Sequence, residues 1–397
     1  MKFFAIFLCV IASVELIEWL LRNILALKYW RAQQHLRPSS PCDLDKTCPP
    51  TVSIVVAAKD EQDNIENCLR SLLSQDYPAL EIICVNDRST DATAAVVEKI
   101  MKEDPRVRLI NIEKLPDGWC GKNHAMQHGI RQSSGDWICM TDADCIMTAP
   151  NTISVAMRYA LDEKADMISV VPTLKMHSFW ETLLQPICGA VLMVWFPPMK
   201  VNDPAKSHAY ANGMFMFISR GAYEKIGTHK AIAGSLIEDI DMARRVKNAG
   251  LCLRMIPSED MISVRMYTSL SQIIRGWVRI FIGSFPRLWP QTRALMVLIG
   301  KGLTLYIAAV LGWIMLAFGA EDVAWWKGCA IIGTIGSFIE TVMTCRFFIH
   351  VCGKWPLGML YPLGCIMTAS ILGRAIFKHL TGGTIVWRNT SYKAGPQ

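Results

Sequence analysis

The stretches TVSIVVAAKDE (51–61), LEIICVNDRSTD (80–91) and GDWICMTDADC (135–145) have one design: a short apolar run that ends in carboxylates. Apolar runs of this length, bounded by polar turn residues, form buried strands. Asp60 with Glu61, Asp87, and Asp142 with Asp144 are therefore expected at strand ends. Helices are expected from about Glu61 to Ser74, Asp91 to Glu103 and Lys122 to Ser133, with a further strand at 107–112. Such alternation specifies βαβ units and an α/β fold with a mainly parallel sheet. In these sheets ligands bind in the crevice beyond the carboxyl ends of the strands, where all three acid groups fall.

Each group has a bland reading beside a functional one. Asp142-Ala143-Asp144 puts alternate side chains on one face, so two carboxylates can approach one hard cation; alone, such a triplet is usually a solvated turn. Asp87 is placed to accept hydrogen bonds from a base or ribose, and with Asn86 it also suits a turn. Asp60 and Glu61 suit a helix start, where the dipole favours acids. Ser89, Thr90 and Asp91 are expected to cap the second helix. The loop from Leu115 to Lys122 brings glycines and a lysine to a helix start, a setting that favours phosphate oxygens. It lacks P-loop spacing. Glu238-Asp239-Ile240-Asp241 opens an amphipathic helix, and these acids serve either as caps or as a base for an incoming hydroxyl. The histidines, His124 and His128 included, show no metal-ligand pattern, and no Gly-x-Ser-x-Gly elbow is present.

The remainder of the chain points to a membrane. Of 397 residues, 52% are hydrophobic, and the mean hydropathy is +0.26. Residues 1–27 read as an N-terminal anchor, since Arg22, Lys28, Arg31 and Arg37 follow the apolar run and hold the next region in the cytoplasm. Residues 28–50 read as a linker, 51–264 as the α/β domain, 265–294 as an interfacial amphipathic segment, 295–380 as transmembrane helices, and 381–397 as a tail. One anchor plus three spans places the basic tail outside. The positive-inside tendency prefers it inside, so one apolar run is expected to be re-entrant or interfacial. The formal charge is +7, but the bases flank apolar segments and form no nucleic-acid stripe. The fourteen cysteines include no Cys-x-x-Cys and suit reduced, core-filling thiols.

The ordered set IVVAAKDE, VNDRSTD, GWCGK, TDADC, ANGMFMFISRGAYEKIG, EDIDMARRVKNAG and QIIRGW resembles the membrane-attached members of glycosyltransferase family 2, above all the hopene-associated and carotenoid glycosyltransferases. The likeness covers about residues 50–280, and TIVWRNTSY extends it loosely into the tail. It implies a GT-A fold and a nucleotide-sugar donor, most often UDP-linked. Asp60, Glu61 and Asp87 would hold the uridine, Lys122 and Arg275 the diphosphate, and Asp142 with Asp144 a Mn2+ or Mg2+ ion. Asp239, with Glu238 beside it, would deprotonate the acceptor for inverting transfer, and Gly213 and Met214 would lie beneath the sugar. Gln272 and Trp277, which the resemblance puts on the acceptor side, form with Arg275 a likeness to the Gln-x-x-Arg-Trp signature of processive synthases and ceramide glucosyltransferase, and the inserted Gly276 argues against processive polymerisation. The expected reaction is transfer of one sugar to a lipid acceptor. A polysaccharide synthase and a catalytically silent membrane scaffold remain open as other readings.

Overall fold

The computed structural model describes every residue except 33, 43–48, 286, 388–389 and 394–397. The chain forms two compact units: a helical one of Met1–Gln33, Met176–Leu192 and Tyr267–Gln397, and an α/β one of Gln34–Lys175 and Met193–Met266. In chain order the elements begin with α1 (Lys2–Ala32), β1 (Val52–Ala58), α2 (Ile65–Leu73), β2 (Leu80–Asp87), α3 (Thr93–Glu103), β3 (Val107–Ile112) and α4 (Gly121–Arg131). They continue with β4 (Trp137–Asp142), β5 (Cys145–Met147), α5 (Thr152–Asp162), β6 (Met167–Val171), β7 (Thr173–Leu174), α6 (Phe179–Trp195), α7 (Pro198–Val201) and β8 (Phe215–Ser219). The last are α8 (Arg220–Lys225), α9 (Glu238–Asn248), β9 (Leu253–Pro257), β10 (Ile262–Val264), α10 (Leu270–Ser284), α11 (Leu288–Ala317), α12 (Val323–Cys352), α13 (Tyr361–Thr381), β11 (Thr384–Trp387) and β12 (Thr390–Lys393).

Seven strands form the main sheet in the order β3-β2-β1-β4-β8-β6-β9. Because side chains alternate across a strand, Val52, Ile54 and Val56 of β1 share a core with Ile65, Leu69 and Leu72 of α2. Val55 lies on the other face, where Gly129 lets α4 approach it and Val85 closely. Strands β1, β2 and β4 are parallel, with Ala58 opposite Asn86 and Ala57 opposite Asp142. Their carboxyl ends therefore share one edge. Strand β8 is antiparallel to β4, with Phe215 opposite Thr141, so its amino end, preceded by Gly213 and Met214, reaches that same edge. Among the described residues the cysteines are free thiols, and Cys68, Cys84, Cys139 and Cys145 fill core positions.

The expected linker is held at one point by an isolated β-bridge. Leu36 is buried and pairs in parallel with Ser258, its N–H donating to Pro257 O and its carbonyl accepting from Glu259 N. Arg37 forks onto the Glu259 carboxylate at 2.7 and 3.1 Å. The pairing satisfies edge groups of the chain leaving β9, which would otherwise be open to solvent. Residues 43–48 of that linker, and Arg388 and Asn389 in the tail motif, lie outside the described residues.

Among the described residues, five helical segments are long and apolar enough to cross a membrane, including Phe179–Val201, which the sequence reading passed over. The strands on either side of α6 are hydrogen-bonded to each other, with Met167 of β6 opposite Ile218 of β8. A helix whose flanks pair in one sheet cannot deliver them to opposite sides of a bilayer. α6 therefore enters the helical unit and returns without crossing.

The directions of the helices in the helical unit bear on the tail. α11 and α12 are antiparallel: Gly312 lies against Ala330, Gly333 against Ala308 and Ala309, and the Tyr306 hydroxyl is 2.8 Å from Thr341 Oγ1. Small residues allow this close approach. α13 is antiparallel to α11 as well, with Cys365 against Gly302 and His379 Nδ1 3.2 Å from Gln291 Nε2. α12 and α13 thus run in the same direction. The chain between them climbs back along α12, where Thr344 Oγ1 donates to Gly358 O at 3.0 Å. α1 lies with Phe4 beside Trp326, ring centroids 6.2 Å apart, and Trp19 Nε1 donates to Lys301 O at 3.1 Å. Lys301 pairs with Glu15 at 3.0 Å and Glu18 at 2.5 Å. The amino terminus therefore lies at the α11–α12 turn, and α13 ends at the opposite end of the bundle.

Protease-sensitive tags in sealed vesicles test this arrangement. A tag at the amino terminus and one in the Ala320–Asp322 turn should share a side, and a tag after Gln397 should be on the other. Both termini on one side would restore strict alternation of four spans.

Candidate functional site

The edge built by β1, β2 and β4 is laced together by its own loops. Asp60, at φ +52°, accepts from Thr90 N at 2.8 Å and Thr90 Oγ1 at 3.2 Å, and its N–H donates to Ser89 Oγ at 3.0 Å. Glu61 N donates to Thr93 Oγ1, and Gln62 exchanges bonds with Asp91 and Ala92. The trio expected to cap the second helix is thus divided. Of the three, Asp91 accepts from the first N–H of α3, Thr93 N, at 3.0 Å, while Ala92 holds the cap position; Ser89 and Thr90 are drawn to Asp60. α2 begins at Ile65, later than expected, because residues 60–64 are engaged in this lacing and in a turn.

Asp87 is almost fully buried, and its carboxylate takes both arms of the Arg88 fork, at 2.7 and 3.0 Å. Arg88 sits at φ +55°, a backbone region that costs a side-chain-bearing residue on the order of 1–3 kcal/mol. A methyl group at Gly121 would lie 2.5 Å from Asp87 Oδ2, so glycine is required where α4 starts over this acid. Asn86 bonds Asn111 and accepts from Ser89 N, the turn role.

The centre of the edge is a charge cluster. Lys122 Nζ lies 2.5 Å from Asp142 Oδ1 and 2.6 Å from Glu238 Oε1. Burial disfavours the ammonium, but the two carboxylates more than offset it and push Lys122 above its ordinary value. Asp239 accepts from Gly213 N at 3.0 Å and from Ile240 N at 2.8 Å. Burial, and then the adjacent Glu238 charge, push the Asp239 carboxyl up to about 7, against the pull of Lys122 and these two N–H groups. A side chain at Gly213 would lie 3.2 Å from both Glu238 Oε1 and Lys122 Nζ. Thr141 Oγ1 donates to Met214 O at 2.7 Å, fixing the Gly213-Met214 loop to the end of β4. The edge thus places a carboxyl poised near neutrality beside an ammonium and a pair of acids, a set suited to proton removal next to a polyanion.

Asp144 lies just past β4, with Cys145 Sγ 3.8 Å from its Oδ1. Among the described residues no group of three or more His, Cys, Asp or Glu is placed to hold a metal ion. The His124 and His128 rings, 4.5 Å apart, belong to no such group.

Sequence reasoning passed over Asn123. Fully buried, its Nδ2 donates to the carbonyls of Ile232, Ala233 and Ser235 at 2.8–3.1 Å. Cys120 N adds a bond to Ala233 O, and Ser235 Oγ donates to Asp241 Oδ2. The segment leading into α9 is thereby fixed beside the start of α4, which sets Glu238 against Lys122. The only sequence signal was a polar residue next to the lysine on a face that proves to be buried.

Gln272, Arg275 and Trp277 lie on α10 in the helical unit. Ser269 Oγ accepts from Gln272 N and Gln272 Oε1 accepts from Thr268 N, a reciprocal arrangement that starts the helix. Arg275 bonds Ser271 Oγ at 2.5 Å, and Trp277 is buried against Phe281. The structure brings together Lys122, Asp142, Gly213, Glu238 and Asp239, and gives these three α10 residues local roles.

The chain is similar to several known proteins. It is 30% identical over 215 residues to the probable glycosyltransferase YdaM of Bacillus subtilis, covering 53% of this chain and 49% of that one. It is 24% identical over 231 residues to the 4,4'-diaponeurosporenoate glycosyltransferase of Staphylococcus aureus, covering 57% and 60%. The match thus spans about half to three-fifths of each relative. The mannosyltransferase PcManGT of Pyrobaculum calidifontis, solved with GDP-Man and Mn2+, superposes with a TM-score of 0.56 at 16% identity over 92% of this chain and 99% of that one. That likeness concerns the fold, and the α/β unit is of the GT-A type. Residues 49–279, more than half of the chain, match the model of the glycosyltransferase like family 2, and the protein belongs to that family.

Proposed function

We propose that this protein transfers one sugar from a nucleotide-diphosphate sugar, UDP-linked by expectation, to a membrane-embedded lipid such as a hopanoid, a carotenoid or a sphingolipid-like alcohol or acid. The carrying observation is the Asp239 carboxyl, buried at the start of α9, 3.0 Å from Gly213 N and pushed up to about 7. Family membership and the carotenoid-directed name of one relative support it, as do the five apolar helical segments. The same reading makes it an integral membrane protein with its α/β unit on the cytoplasmic side.

Asp239 takes the proton of the acceptor hydroxyl while that oxygen bonds to the anomeric carbon. The bond to the diphosphate breaks, its electron pair leaves with the nucleotide, and one in-line displacement inverts the centre. Lys122 offers its ammonium to the departing charge. Asp60, Glu61 and Asp87 border the donor's nucleoside through the laced loops. Two carboxylates at the end of β4 fit a small divalent cation, because such ions are commonly held by one or two carboxylates together with substrate phosphates. Asp142 and Asp144 would hold Mn2+ or Mg2+, which supplies charge neutralisation at the diphosphate.

Asp239→Asn should lower transfer by at least about 100-fold, the usual scale for losing a positioned base, with nucleotide binding retained. Near-normal turnover in the folded variant would remove Asp239 from the proton transfer. The sign of the pH dependence follows from the raised value: below about 7 the carboxyl keeps its proton and cannot accept another. The transfer rate should therefore climb with pH through about 7 and then level.

Membranes given a panel of UDP- and GDP-sugars with a total lipid extract should yield one labelled lipid with one donor. The product should vanish with EDTA and return with Mn2+ or Mg2+. A long polymer in place of a lipid would point to a synthase, and full activity in chelator would exclude the ion.

A further inference from the structure

The position of Lys122 has a consequence for the order in which the site fills. Its Nζ lies 2.5 Å from Oδ1 of Asp142, one of the two carboxylates read as ligands for a divalent ion, and 2.6 Å from Glu238 Oε1. An ammonium and a divalent cation on one carboxylate repel each other, and in this partly enclosed setting the repulsion is poorly screened. Glu238 is buried and shares the ammonium with Asp142, so it draws part of the Lys122 charge away from that carboxylate.

We propose that Lys122 is a resident counter-cation that excludes a divalent ion from Asp142 until a nucleoside diphosphate offers the ammonium another partner. The inference rests on the reading of Asp142 and Asp144 as carboxylates for the ion. It makes nucleotide and ion bind together, each strengthening the other, because the diphosphate both accepts the Lys122 charge and supplies further oxygen ligands. Coupling of this kind is reciprocal. Glu238 becomes a positioning residue acting through Lys122, a role separate from the base.

The test uses full-length protein in detergent, with free Mn2+ followed by electron paramagnetic resonance as MnCl2 is added, with and without UDP or GDP. Wild type should bind Mn2+ weakly alone and at least about tenfold more tightly with the nucleotide, a coupling of about 1.4 kcal/mol or more. Lys122→Gln should bind Mn2+ alone at least about tenfold more tightly than wild type and lose most of the nucleotide's effect. Lys122→Arg should behave as wild type. Glu238→Gln should move the other way, since the ammonium then rests on Asp142 alone, so misfolding cannot imitate the set. Unchanged or weaker Mn2+ binding by Lys122→Gln, with wild type still binding Mn2+ in the presence of nucleotide, would overturn the counter-cation and leave the ion site standing. No Mn2+ bound by any form, even with nucleotide, would remove the ion reading and the inference with it.

Discussion

One ammonium group lies where a strand end and a helix start deliver three carboxylates to a small volume, and the site's geometry depends on that charge. Carboxylates brought close together in a low-dielectric pocket repel strongly. Lys122 neutralises part of that repulsion by bridging Asp142 and Glu238, and Asp239, pushed up first by burial and then by the Glu238 charge, holds its proton up to about 7. The bridge joins the first turn of α4, the end of β4 and the first turn of α9. Asn123, with Cys120 N, holds the 232–235 segment at this meeting point.

The sheet makes this meeting possible. Parallel β1, β2 and β4 place their carboxyl ends along one edge, and the single reversal at β8 brings Gly213 to it from the opposite chain direction. An all-parallel sheet would have sent that loop to the far edge. The loops beyond the strands are held by side-chain bonds across Asp60, Ser89, Thr90 and Asp91, so polar residues that resemble helix caps serve as inter-loop ties.

The strands and the acid edge were legible because burial on both faces of a parallel sheet demands continuous apolar runs, and carboxylates end them visibly. α2 and α3 started later than expected because side chains that ordinarily cap a helix bonded across to a neighbouring loop, a contact between residues about thirty apart. Asn123 was not legible, since one polar residue on a helix gives no hint that its amide will hold three carbonyls a hundred residues later. Between α12 and α13 the chain doubles back along α12 at 353–360, a path that hydropathy does not reveal. Hydropathy alone does not show direction, which is seen only in the packing of α13 against α11. α6 was passed over because its apolar run carries Glu181, Gln185 and Pro186 and is bracketed by sequence that otherwise reads as α/β.

The excursion through α6 matters for how the protein is made and handled. Strands β8 and β9 are synthesised after this apolar helix, so the sheet cannot close until a segment suited to lipid has already left the ribosome. The α/β unit is therefore completed only after this apolar helix has been made. Shortening the chain after Met266 removes α10 to α13 but leaves α6 inside the sheet's own connectivity, so the α/β unit cannot be turned into a freely soluble enzyme by trimming its ends.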